Sequence, residues 1–172
     1  MTPKKPLILA IHATSRGFGY VVFEGVGAPY DWGTVGAHGD KNAVCLRKIE
    51  LMLDRFAPET LLLEEARSVA NRSARITRLY TAIASMAAHR SVEVAIYTLG
   101  QIKSCFAKVG AITRQDVAEA VGRHIEAFRH SMPKPRKPWQ AEDRRMAMFC
   151  AAALVLTHYQ LGGGRLLDDL CE

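Results

Sequence analysis

The chain has few cysteines and nowhere brings two of them close in sequence. Cys45, Cys105, Cys150 and Cys171 are scattered, with no Cys-x-x-Cys pair. That pattern argues against a zinc site and a disulfide framework, and it fits a reducing cytoplasm. Long apolar runs are also missing. No window approaches the about 18 consecutive apolar residues that a membrane span needs. The opening Met1-Thr2-Pro3-Lys4-Lys5-Pro6 leads into an apolar run that breaks at His12. It is expected to enter a first strand and not to act as a signal peptide. No internal repeat is visible, which sets aside repeat architectures.

What is present is ordinary for a folded soluble protein. The 172 residues are 49% hydrophobic and 23% charged, a length and balance that suit one domain with one core. Lys and Arg number 23 against 17 Asp and Glu, a net charge of +6. A basic balance points toward a polyanionic partner such as nucleic acid, although many basic proteins have none.

The pattern of residues predicts a hairpin first. Leu7 to Ile11 is a compact apolar run, a small and polar turn follows over residues 13–17, and Gly19 to Phe23 is rich in β-formers. A third short strand is expected near residues 32–35. Leu46, Ile49, Leu53 and Phe56 make one apolar stripe of a helix over residues 41–56, stopped by Pro58. A buried strand over residues 60–63 ends in Glu64-Glu65. A helix over 73–89, a strand over 92–97 and a helix over 99–109 come next. Thr113 and Asp116 read as a capping box opening a helix that runs to about residue 130. Three alternating prolines keep residues 133–138 out of helix. A last, almost wholly apolar helix is expected over residues 140–159, opened by Glu142 and Asp143, with a loose tail over 161–172. The expected fold is a single-domain α/β structure over residues 1–160, a mixed central sheet flanked by helices.

Candidate chemistry sits at strand ends, where sites form in such sheets. Glu64 closes a buried strand, Glu142 and Asp143 open the last helix, and His12 ends the first strand. Singly, each has a plain explanation: a solvated Glu pair, a helix-dipole effect, a structural histidine. Converging carboxylates would instead hold a hard divalent cation through oxygen. Two such ions about 4 Å apart can drive phosphodiester hydrolysis. Lys134, Arg136 and Lys137 beside Trp139 form a basic loop suited to phosphates and an unpaired base. Arg67, Arg72, Arg75 and Arg78 form a candidate phosphate-tracking ridge.

Leu9-Ala10-Ile11-His12-Ala13-Thr14-Ser15-Arg16-Gly17-Phe18-Gly19-Tyr20 resembles the opening of the RuvC family of DNA junction nucleases, an RNase H-like family. Leu61-Leu62-Leu63-Glu64-Glu65 is similar to the strand that carries that family's second acidic residue. Leu99-Gly100-Gln101-Ile102-Lys103 resembles its basic stretch, Arg114 falls at a further basic position, and Gln140-Ala141-Glu142-Asp143 with Ala147 and Ala151 to Leu154 resembles its closing helix. The resemblance spans residues 7–159. It implies an RNase H-like fold and a metal-dependent endonuclease acting on branched DNA as a homodimer. His12, Glu64, Glu142, Asp143 and Lys103 would be catalytic. His12, Glu64 and Asp143 would hold Mg²⁺ or Mn²⁺. Arg67, Arg75, Arg78, Arg114, Lys134, Arg136 and Lys137 would contact DNA.

The sequence also departs from that family. His12 stands where the family has aspartate, so one negative charge is gone and nitrogen replaces oxygen, which suits Mn²⁺ better than Mg²⁺. His12 would then serve as ligand or general base, with Asp31 or Asp40 as substitute carboxylates. The alternative is the same fold with a degraded site, binding nucleic acid or protein without catalysis. A fragment of the two-domain actin-like superfamily shares the hairpin, but this chain is too short for both domains.

Overall fold

The computed structural model describes residues 5–66 and 73–161. Arg67 and Arg72 of the expected ridge, Cys171 and nearly all of the expected tail lie outside the described residues. Strands β1 (Ile8–Thr14), β2 (Gly17–Phe23) and β3 (Pro29–Gly36) come first, then α1 (Lys41–Phe56), β4 (Thr60–Glu64), α2 (Ala74–His89) and β5 (Glu93–Tyr97). The chain ends in α3 (Leu99–Ala107), α4 (Arg114–His124), a 3₁₀ turn (Glu126–Ser131) and α5 (Met146–Leu161). The sheet order is β3-β2-β1-β4-β5. β1, β2 and β3 form an antiparallel meander, whereas β4 and β5 run parallel to β1.

Strand alternation divides the core into two layers. Leu9, Ile11, Val22, Leu61 and Leu63 pack with α1 and α2 on one face. Ala10, Val21, Phe23 and Leu62 pack with α3, α4 and α5 on the other. α5 is apolar all round because it lies against the sheet with α3 and α4 beside it. From Met146 to Thr157 every residue except Cys150 is buried. Its one buried hydroxyl, Thr157 Oγ1, donates to the Ala153 carbonyl at 2.8 Å and so stays satisfied.

Glycine lets α5 lie this close. An ideal Cβ on Gly19 would come within 2.3 Å of the Ala147 carbonyl carbon and 2.4 Å of the Met148 nitrogen. Gly17 has φ +151°, and a Cβ there would meet the Val35 carbonyl oxygen at 1.9 Å. Local capping follows the sequence. Asp40 caps α1 and Ser73 caps α2, and both halves of the Thr113–Asp116 capping box on α4 are made.

Several boundaries differ from expectation. β1 runs on to Thr14, so His12 lies inside the strand and not at its end. α4 stops at His124, because Ile125 is extended (φ −114°, ψ 101°), and a 3₁₀ turn then buries Phe128. α5 begins at Met146, not near residue 140. The Asp143 carboxylate accepts from the Arg145 backbone N–H at 3.0 Å, and the Asp143 carbonyl accepts from Met146. Such side-chain bonds compete with helical pairing. Glu142 and Asp143 therefore precede the helix and do not open it.

Candidate nucleic-acid site

The register gathers one row of residues across the sheet. Thr34 pairs with Gly19, Gly19 with His12, and Glu64 with Tyr97. The parallel β1–β4 pairing aligns Ala10 with Leu62, so two residues on, His12 falls beside Glu64. Because side chains alternate, both point to the face that Ala10 and Leu62 share with α5. His12 and Glu64 are 6% and 5% exposed. His12 Nδ1 lies 3.4 Å from Glu64 Oε2.

The third member is Arg114, the first residue of α4. Its Nη2 lies 3.2 Å from His12 Nε2, and its Nε lies 3.3 Å from Glu142 Oε1. A guanidinium only donates, so His12 Nε2 accepts, and the imidazole proton of the neutral ring falls on Nδ1, facing Glu64. The Cys150 thiol of α5 lies near enough to bear on the Arg114 charge. Burial alone would lower the Arg114 pKa. Cys150, Glu142 and Glu64 outweigh it and hold the guanidinium above its ordinary value. Burial pushes the Cys150 thiol up against the pull of Arg114, which leaves it protonated at neutral pH. The Arg114 side chain is still 49% exposed. It roofs the His12–Glu64 pair from the solvent side.

The remaining candidates are distributed around this centre. Asp143 is turned to Arg145, which donates to both its oxygens at 3.1 and 2.8 Å. Those bonds, chiefly, hold its carboxyl down at about 2. Lys103 is exposed on α3, whose buried side carries Ile102, Cys105 and Phe106. Arg75 is engaged by protein acceptors, donating to Asn42 Oδ1 at 2.9 Å and to the Thr14 carbonyl at 3.1 Å. It thereby ties α2 to the hairpin turn and α1, while Arg78 is exposed. Lys134, Arg136 and Lys137 are exposed in the proline-rich loop, with the Lys137 ammonium 5.4 Å from the ring centre of Trp139, itself 77% exposed. Neither substitute carboxylate serves the site: Asp40 caps α1, and Asp31 sits on edge strand β3 against Tyr20. Cys150 has no sequence signal, lying inside an apolar helix.

A cavity of about 490 Å³ has Glu142 and Asp143 in its wall. The hairpin turn, the end of β3 and residues 141–144 line it, with Arg16, Lys41 and Arg144 as its basic groups.

A divalent ion does not fit this donor set. Among the described residues, no three His, Cys, Asp or Glu side chains gather closely enough to hold a metal. The His12 Nε2 lone pair is taken by Arg114, and the expected ligand Asp143 is committed to Arg145. An ion seated about 4 Å from the guanidinium would meet a repulsion of about 2 kcal/mol in water-like surroundings and about 8 at an effective dielectric near 20.

Sheet order, register and helix placement define an RNase H-like α/β fold. The solved structures narrow this to the RuvC-like form of that fold. The chain is similar to Thermus thermophilus RuvC in complex with a Holliday junction substrate, at 18% identity and TM-score 0.66, over 92% of this chain and 96% of that one. It is similar to a second Thermus thermophilus RuvC structure at 21% identity and TM-score 0.63, over 91% of this chain and 96% of that one. At this identity the likeness establishes the fold alone. No family model and no curated protein matches the chain. No helix among the described residues is long and apolar enough to cross a membrane.

Proposed function

We propose that this protein binds branched DNA on the face where β1 and β4 end, and that it does so without cutting it. One observation carries the reading. A guanidinium, held 3.2 Å from His12 and 3.3 Å from Glu142, stands beside the central strands, and its neighbour Gln115 bonds the Pro133 carbonyl at the start of the basic loop. A RuvC-like nuclease would need a divalent ion there. Arg114 binds phosphate, Lys134, Arg136 and Lys137 add phosphate contacts, and Trp139 stacks on a base left unpaired at a branch point. Arg78 extends the basic surface along α2. A homodimer would present two such faces to a four-way junction, which light scattering of the protein alone and on junction DNA would test. The deciding experiment is gel-shift titration of a four-way junction against a duplex of equal length, with cleavage followed in Mg²⁺ and in Mn²⁺. Preferential retention of intact junction is expected. Equal affinity for both DNAs would defeat the reading.

A second reading is a metal-dependent endonuclease with His12, Glu64, Glu142, Asp143 and Lys103 as its catalytic set. It is favoured by the His12–Glu64 pair, 3.4 Å apart on the two central parallel strands. It requires Arg114 and Arg145 to release Glu142 and Asp143. Mn²⁺-dependent cleavage abolished by Glu64→Gln would establish it.

A further inference from the structure

We propose that the Arg114 guanidinium is the resident cation of this site and the group that receives a DNA phosphodiester there, in the place a divalent ion would take. The phosphodiester part rests on the branched-DNA reading; the resident-cation part stands on geometry alone. Two elements converge on one guanidinium: His12 Nε2 from β1 at 3.2 Å and Glu142 Oε1 from the segment before α5 at 3.3 Å. Glu64, beside His12 on β4, adds its charge.

The guanidinium already occupies the space between these groups and offsets one of the carboxylate charges. Two carboxylates and a neutral imidazole surround one guanidinium. Replacing His12 by aspartate would add a further carboxylate, and removing Arg114 would take away the guanidinium that His12 Nε2 and Glu142 Oε1 now hold. The same two changes would therefore convert the site into one that calls for a divalent ion. The capping box of Thr113 and Asp116 fixes where the arginine stem starts, so its position is built into the helix. About half of the side chain remains open to solvent, where phosphate oxygens can reach a planar fork of donors suited to them. Unlike a bound ion, this cation cannot be removed by a chelator and stays charged at any working pH.

The test has two arms. In the first, DNA-free protein is titrated with Mn²⁺ and free ion is followed by electron paramagnetic resonance. Wild type and His12→Asp should take up no Mn²⁺, and the double variant His12→Asp with Arg114→Ala should take up Mn²⁺. Uptake by wild type, uptake by none of the variants, or equal uptake with and without Arg114 would overturn the resident cation. Thermal melts confirm that each variant is folded, and Arg114→Lys, which keeps the charge, should behave as wild type toward Mn²⁺. In the second arm, junction affinity is measured by fluorescence anisotropy in EDTA and in Mn²⁺. Wild type should bind equally in both. Arg114→Ala should bind about tenfold more weakly, with a shallower salt dependence by about one phosphate contact. Unchanged affinity in Arg114→Ala would overturn its role as phosphodiester receiver. If wild type ignores junctions while the manganese results hold, the branched-DNA reading fails and the resident cation stands.

Discussion

Replacing Gly19 by alanine should be among the most damaging small changes in this protein. The added methyl would sit 2.3 Å from the Ala147 carbonyl carbon, 2.4 Å from the Met148 nitrogen and 2.5 Å from the Ala147 oxygen. All three are backbone atoms of the first turn of α5, so no side chain can rotate away. Either β2 or α5 must move, by roughly 1 Å or more to restore ordinary contact. Overpacking a core costs about 1–3 kcal/mol when side chains can adapt; here the upper end, about 3 kcal/mol or more, is expected. That is a large share of the about 5–15 kcal/mol that stabilises a typical domain. The effect should reach the site, because Gly19 pairs with His12 and α5 carries Cys150. The assay is urea unfolding followed by circular dichroism, with Gly36→Ala as control, since a Cβ at Gly36 meets nothing within 4 Å. Gly36→Ala should stay within about 0.5 kcal/mol of wild type. A Gly19→Ala loss below about 1 kcal/mol would refute the claim that α5 rests on the β2 backbone.

Tyr80→Phe should cost about 1–2 kcal/mol in the same assay, because the Tyr80 hydroxyl accepts the buried Ala13 N–H at 2.9 Å and phenylalanine would leave that donor unpaired. Stability should fall as pH drops below about 6.5. Burial, chiefly, lowers the pKa of both His124 and His158 in the folded state, so the unfolded chain binds protons first on acidification. Urea midpoints between pH 7.5 and 5 would reveal the slope, and an unchanged midpoint would contradict it. At lower pH, Asp143 adds to the loss as its carboxyl protonates between the ordinary carboxylate value and about 2. The loss should be about 1 kcal/mol at most, because the Arg145 side chain is 42% exposed and solvent screens the pair.

Much of the fold is legible in the residues themselves. The hairpin, the apolar stripes of α1 and α2 and the Thr113–Asp116 box are local signals, and local geometry obeyed them. The buried run before Glu64 predicts which of Glu64 and Glu65 turns inward: Glu64 shares the Leu62 face and is buried, while Glu65 is exposed. The start of α5 is not legible by apolar pattern, since what delays it is the Asp143 side chain bonding its own neighbours. The heart of the site is hidden for a different reason. Arg114 meets His12 across 102 residues of sequence, and only the packing of α4 against α5 brings them together. Nothing in the residues near Arg114 distinguishes a guanidinium that roofs a histidine from one free for DNA. Read from sequence, His12 stays open as ligand, general base, structural histidine or remnant of a degraded site; in the fold its Nε2 faces the Arg114 guanidinium at 3.2 Å.

The most direct measurement is a crystal structure of the protein with a four-way junction in Mn²⁺, using anomalous scattering to locate the metal. A backbone phosphate within hydrogen-bond distance of Arg114, with no anomalous peak beside His12 and Glu64, is the expected result. A manganese peak between His12 and Glu64, with Arg114 swung away, would contradict it.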